Sequence, residues 1–279
     1  MFLRFINYDR RTVEERLVSY GMLMKCSVAA LLGSGMALAV FATGSLAQET
    51  STYALGVGVE RMPGWVGSSD HRSQVVPYID IDVPHLGSIS TTDGLELDLI
   101  DGEAWHGGIY GNYLWGRTRD SLGKLGGIIP PLSPRIHGGG YLEYRFDKTF
   151  SMGAQLSHDT QGAGVYTAIY GDVNLPGFWY VEHSVEVQWN GMNGAAMRRF
   201  FGVTQDQAQA IGTSPWRPGA GAELATIEYD AFIPTSHKTG FALAINVGRL
   251  QGDAARSPLV RSYGSATQVT TSLAWLVHF

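Results

Sequence analysis

The sequence predicts an all-β chain: a transmembrane antiparallel β-barrel of about twelve strands, with ten as the alternative count. Three observations predict it. Beyond Gln48 the apolar residues recur with period two, the period of a strand whose faces differ. No stretch beyond that point approaches the roughly 20 apolar residues of a membrane helix, and mean hydropathy is −0.02. The 279 residues include 36 Gly, 7 Trp, 13 Tyr and 11 Phe, with only 16% charged. Glycine costs about 1 kcal/mol per helical position, so this composition disfavours helices and suits tight turns with aromatics at a lipid–water boundary.

The first 47 residues stand apart. From Met24 the chain reads MKCSVAALLGSGMALAVFATGSLAQET. Lys25 is a positive n-region, Ala29 to Phe41 an apolar h-region, and Ser45-Leu46-Ala47 a small-x-small site, so an export signal is expected to be cleaved between Ala47 and Gln48. An uncleaved anchor helix is the alternative. Residues 1–23 are charged and precede a complete signal, which leaves Met1, Met22 and Met24 as candidate starts. The expected organisation is therefore an extended N-terminal segment with signal over 1–47 and one barrel over 48–279. The single cysteine, Cys26, falls inside the signal and is no lipobox. Net charge is −5, and no basic patch invites nucleic acid.

Each strand follows from alternation. Tyr53–Glu60 sets Tyr53, Leu55, Val57 and Val59 against small residues. Val75–Asp82 sets Val75, Ile79 and Ile81 against Tyr78, Asp80 and Asp82. A short Ser88–Thr92 segment makes the count even, and Leu95–Leu99 opposes three Leu to Glu96 and Asp98. Trp105–Trp115, Ile136–Phe146, Phe150–Ser157 and Gly164–Tyr170 follow.

Phe178–Trp189 is the clearest segment: Trp179, Val181, His183, Val185, Val187 and Trp189 share one face, and Glu182, Ser184 and Glu186 the other. Trp179 and Trp189 are spaced to sit in two aromatic girdles, roughly 25 Å apart along a tilted strand. Gly221–Ile233 and Phe241–Arg249 precede the last strand, where Leu273, Trp275, Val277 and Phe279 share a face. An alternating terminal strand ending in Phe is the kind of signal the barrel-insertion machinery reads. Short links at 145–149 and 234–239 contrast with long ones at 117–134 and 190–219, as periplasmic turns contrast with extracellular loops.

A soluble β-sandwich or lipocalin-like barrel shows the same alternation with the faces reversed. The signal, the terminal Phe and the small, Gly-rich polar faces favour the membrane. On that reading the interior carries Asp80, Asp82, Glu96, Asp98, Glu143, Glu182 and Glu186, with Glu228 and Asp230 beyond them. An open lumen so lined favours cations, whereas a plugged one neutralises its acids with Arg145 and other bases.

Catalytic and cofactor signals are weak. Ser157-His158-Asp159 has the letters of a hydrolase, but adjacent residues cannot form a relay. The eight His show no metal-ligand spacing, and the Gly runs at 107–108 and 138–140 lack a following Lys-Ser/Thr, so no metal, cofactor or catalytic residue is expected. Thr204 and Gln207 form a capping-box pair, which places a helical turn in the 190–219 link. That link is expected either to fold over the barrel mouth or to dock a partner. Asp253 to Pro258 reads as a rim turn with an internal Asp253–Arg256 charge pair.

Four stretches, in order, resemble the MipA/OmpV family of outer-membrane proteins: YALGVGVERMPGWVGSSDHRSQVVPYIDI (53–81), HDTQGAG (158–164), RRFFGVTQDQAQA (198–210) and LQGDAARSPLVRSYGSATQ (250–268). The resemblance spans nearly all of the expected mature chain. It implies a non-enzymatic barrel in the outer-membrane lipid of a Gram-negative cell. It also implies a scaffold for peptidoglycan synthesis and remodelling, with a lytic transglycosylase and a peptidoglycan synthase as partners. Other members are porin-like or adhesion-related, so a small cation-preferring porin for solutes or antibiotics is the competing expectation. A lipid hydrolase using His158 is a third.

Overall fold

A computed structural model describes Ser51–Phe279. The expected cleavage between Ala47 and Gln48, and the boundary between the N-terminal segment and the barrel, lie outside these residues. Among the described residues, twelve antiparallel strands close into one barrel in sequence order. They are β1 (Thr52–Pro63), β2 (His71–Val83), β3 (Gly87–Ser90), β4 (Gly94–Asp101), β5 (Trp105–Leu114), β6 (Arg135–Arg145), β7 (Phe150–Asp159), β8 (Val165–Phe178), β9 (Val181–Met192), β10 (Gly221–Pro234), β11 (Thr239–Leu250) and β12 (Thr267–His278). No described helix is long and apolar enough to cross a membrane.

The ring closes where the last strand meets the first. β12 pairs with β1 in a register that sets Leu55 against Val277 and Val57 against Trp275, and the Phe279 N–H donates to the Tyr53 carbonyl at 3.0 Å. Closure leaves no free edge at this seam. It also sorts the faces. Leu55, Val57 and Val59 on β1, Phe241, Ile245 and Val247 on β11, and Leu273 and Trp275 on β12 are all exposed apolar residues pointing outward. Their neighbours Ala54, Ala242, Ala244, Ala274 and Leu276 are buried inside. In water such a belt would cost about 25 cal/mol for each Å² of apolar surface left uncovered. Its natural solvent is lipid, and the outward-apolar, inward-polar alternation is that of a transmembrane barrel.

The two rims differ. At one, short turns join β2 to β3, β6 to β7, β8 to β9 and β10 to β11. At the other, long links carry four α-helices, α1 (Gly194–Phe201), α2 (Gln205–Ile211), α3 (Gly252–Arg256) and α4 (Pro258–Tyr263), and a 3-10 turn at Gly123–Leu125. Local chemistry sets their ends. The Asn193 side chain caps α1 by accepting from the Ala196 N–H, and Thr204 and Gln207 close a reciprocal capping box on α2. α2 stops at Gly212, whose φ of +68° is the left-handed conformation that ends many helices. The 253–258 segment is thus helical rather than a bare rim turn, although its Asp253–Arg256 ion pair is present.

Two differences from the sequence reading concern β8 and β9. β8 runs on to Phe178, eight residues past Tyr170, and β9 begins at Val181. Trp179 is therefore not on a strand face. Trp179 and Tyr180 form the two-residue turn between β8 and β9, and Trp179 adopts φ +55°. A bulky side chain rarely takes that conformation, and the turn carries none of the Gly, Asn or Asp that normally mark such hairpins.

Candidate functional site

The inward wall is the candidate site, and strand register builds it. Cross-strand partners run Thr270 (β12), Asn246 (β11), Glu228 (β10), Glu186 (β9), Asp172 (β8), Ser151 (β7) and Arg145 (β6), one belt across seven strands. One layer away, Asp230 faces Ser184, which faces Asn174. The acids expected in the interior all fall on this inward parity. Asp80 and Asp82 lie on β2 opposite Ser90 and Ser88, Glu96 opposite the buried Tyr110, and Glu182 opposite the buried Phe232.

Several acids are held by hydrogen bonds. Glu143 accepts from Arg145 Nε at 2.9 Å and from the Tyr170 hydroxyl at 3.1 Å. Asp98 accepts from Tyr141, and Glu228 from the Asn246 amide. Asp230 Oδ1, Ser184 Oγ, Asn246 Oδ1 and Thr270 Oγ1 are buried with no hydrogen-bond partner among the described residues. Buried polar atoms are usually satisfied, so unpartnered ones that converge on one wall mark where a polar group can be received.

A second cluster sits where β6, β7 and β8 reach the long-loop rim. Asp159, its side chain fully buried, accepts from Arg135 at 3.1 Å and from Arg199 of α1. Arg117, in the β5–β6 link, donates to the Phe200 carbonyl at 2.8 Å and to the Pro130 carbonyl at 3.3 Å. Burial, and then the nearby Arg199 charge, push Arg117 down to about 10. These bonds tie a helical cap to the barrel. Under α1 and α3, Met197, Phe201 and Ala254 pack with Tyr166, Met192, Leu250 and Val260. Beside them Trp65, Leu122, Ile129, Ile211 and Leu259 form a second apolar cluster drawn from four links. The 190–219 link thus folds over the long-loop mouth.

The remaining expected site residues fall as follows. Trp275, Val277 and Phe279 share the outward side of the closing strand, while Trp189 lies on the outward face near the far end of β9 from the Trp179 turn. His158 is exposed on the outer face of β7, whereas Ser157 and Asp159 point inward, so the three cannot converge. Ser157 instead meets His137 of β6, Oγ to Nδ1 at 2.7 Å. Among the described residues no carboxylate bonds that imidazole. For a metal, Asp98, Asp101 and His106 offer ligand atoms within 4.8 Å of one another. Asp98 and Asp101 already serve Tyr141, His85 and His106.

Sequence reading missed Asp172, because β8 was ended too early, although Gly171-Asp172-Val173-Asn174 continues the alternation. It also missed Asp93, in the β3–β4 turn, and the Ser157–His137 pair. That pair joins residues twenty apart and has no local signature.

A closed, even-numbered antiparallel barrel with a greasy exterior and a carboxylate-rich interior defines an outer-membrane β-barrel protein. The chain belongs to the MltA-interacting protein (MipA) family, whose family model matches residues 55–279. Among proteins of curated function, none matches at a significant level. Similar solved structures include a bacterial polysaccharide outer-membrane secretin, 7% identical, with TM-score 0.38 over 81% of this chain and 97% of that one. An anion-selective porin from Comamonas acidovorans is 9% identical, with TM-score 0.29 over 82% and 99%. Neisserial surface protein A is 6% identical, with TM-score 0.22 over 82% and 98%.

Proposed function

We propose that this protein is a non-enzymatic scaffold of the outer membrane. It holds peptidoglycan-remodelling enzymes, a lytic transglycosylase and with it a peptidoglycan synthase, at its short-turn, periplasmic rim. The observation that carries this reading is the helical cap. Two apolar clusters and the Arg117, Arg135 and Arg199 bonds close the long-loop mouth with residues buried as deeply as a protein core. A barrel stoppered in this way serves better as a rigid platform than as a pore. The family's name, MltA-interacting protein, supports the choice of partner. The same reading includes export with cleavage between Ala47 and Gln48, insertion read from Trp275, Val277 and Phe279, and anchoring of the two interfaces by Trp179 and Trp189.

The test is cross-linking in cells followed by purification through this chain. Recovery of a lytic transglycosylase is the expected result, and its loss on exchanging the short turns while the barrel still inserts locates the contact. Failure to recover any peptidoglycan enzyme from inserted, cross-linked protein contradicts the scaffold.

The acidic belt of Asp172, Glu186 and Glu228, with Asp230 one layer away, favours a second reading, a small cation-preferring channel. Steady cation-selective conductance in planar bilayers would establish it and would remove the platform from first place.

A further inference from the structure

The barrel wall is incomplete in its long-loop half. β3 has only four residues, and the β3–β4 hairpin turns at Thr91–Asp93. That turn reaches only the middle of its neighbours. The Thr91 N–H donates to the Ile79 carbonyl of β2 at 2.8 Å, and the Asn112 amide of β5 donates to the Asp93 carbonyl at 3.2 Å. Past this level, His71–Tyr78 of β2 pairs with β1 alone, and Asn112–Leu114 of β5 pairs with β6 alone. Among the described residues no ladder joins β2 to β5, so the wall has twelve strands at the short-turn rim and ten at the other. Pro77 fits this: proline donates no ladder hydrogen bond and is confined largely to edges.

Side chains close this window. Arg72 has the inward parity of Gln74 and Tyr78, yet its guanidinium lies 5.6 Å from the ring centroid of Trp115, which continues the outward parity of Tyr113. Arg72 is the second residue of β2 and Trp115 follows the last residue of β5, so the contact spans the gap at its rim end. A cavity of about 60 Å³ lies beside the gap. Pro77 and Trp115, which flank the gap, and the inward-parity residues Glu60, Glu228, Asn246 and Thr270 all line it.

We propose that this break is a lateral portal, latched by Arg72 on Trp115. Through it an amphiphile with a cationic, hydrogen-bond-donating head passes between the long-loop half of the membrane and the lumen. The chemistry of the two ends selects the ligand. Outside, Val75, Pro77, Ile79 and Tyr113 offer an apolar flank to a tail. Inside, the head meets the Glu60 and Glu228 carboxylates and the unpartnered acceptors Asn246 Oδ1 and Thr270 Oγ1. The two carboxylates and the amide oxygen accept, and the Thr270 hydroxyl accepts as well as donates, so the two negative charges favour a primary ammonium over an anion. The latch is one cation–π contact, worth on the order of 1 kcal/mol, whereas a complete strand ladder would have to break several hydrogen bonds to open. The inference rests on the barrel lying in lipid and not on the scaffold reading. Pull-down and conductance results leave it untouched.

Radiolabelled dodecylamine bound to the protein in nanodiscs, measured above empty nanodiscs, tests it. In a C26S background, R72C/W115C is bridged with a reducible bismaleimide. Bridging is expected to lower bound dodecylamine at least tenfold, reduction to restore it, and E228Q to weaken it. Dodecyl sulfate and methylamine, which share only the tail or only the charge, are expected not to compete. Equal binding by bridged and reduced protein, equal competition by methylamine, or no binding above empty nanodiscs overturns the portal. Should the double variant fail to show heat-modifiable migration, W115A serves in its place. Association several-fold faster than wild type supports the latch, and an unchanged rate contradicts it.

Discussion

The two halves of this barrel are closed by different forces. Near the short-turn rim twelve strands share a continuous backbone ladder, and the chain turns within a few residues. Near the long-loop rim the wall loses β3 and β4, and closure passes to side chains: Arg72 on Trp115 across the gap, and a helical cap packed on Phe201, Met197 and Leu259 over the mouth. A hydrogen-bonded wall fails only as a whole, whereas a packed cap is able to open by itself. The half with regular structure is therefore the anchor, and the irregular half is where this protein has room to act.

The largest expected effect comes from Phe201→Ala. Phe201 is fully buried in the cap, and deleting a buried phenyl costs about 3–5 kcal/mol. Hydrogen exchange should accelerate throughout α1 and α2 while heat-modifiable migration of the barrel stays unchanged. If the barrel loses that migration too, the halves are one cooperative unit and the comparison breaks.

Tyr170→Phe probes the wall. It removes the phenol that donates to buried Glu143, at an expected cost of about 1–3 kcal/mol. Here the temperature at which the folded gel band disappears should drop, with cap exchange unaffected. Thr204→Ala sharpens the contrast from the cap side. Losing the capping box on α2 should cost about 1 kcal/mol, seen as faster exchange confined to Gln205–Ile211.

The smallest effect is a pH dependence of the cap. The hydrogen bond from Arg256, followed by one from the Gly219 N–H, holds the Asp253 carboxyl below its usual range. A depressed folded value stabilises the folded form above the unfolded carboxyl's pKa of about 3.9, and that contribution is lost as pH falls through the folded value. Proteolysis of the 252–263 segment should therefore rise in acid for wild type and respond less in Asp253→Asn.

The strands were legible because a wall with two unlike solvents writes period two into each segment. Even the short β3 was found, from Ser88–Thr92 and the need for an even count. The inward parity of Asp80, Glu143 and Glu186 followed from the same period. Three features were not legible for physical reasons. Trp179 and Tyr180 occupy a hairpin turn without turn residues, so the sequence shows neither that β8 continues past Tyr170 to Phe178 nor that β9 starts only at Val181. α3 and α4 are five and six residues long, too short to show helical periodicity. The window depends on two neighbours outrunning a hairpin, a comparison of lengths between strands that no single segment contains.

The central claim is that the apolar face of each strand meets lipid while its other face lines an enclosed interior. Spin labels placed one at a time at residues 54 to 59 of β1, in a C26S background, test it most directly through their accessibility to oxygen and to a water-soluble nickel chelate. The account predicts alternation with period two, with oxygen favoured at residues 55, 57 and 59 and disfavoured at 54, 56 and 58. Uniform access of the nickel chelate to all six positions would contradict it.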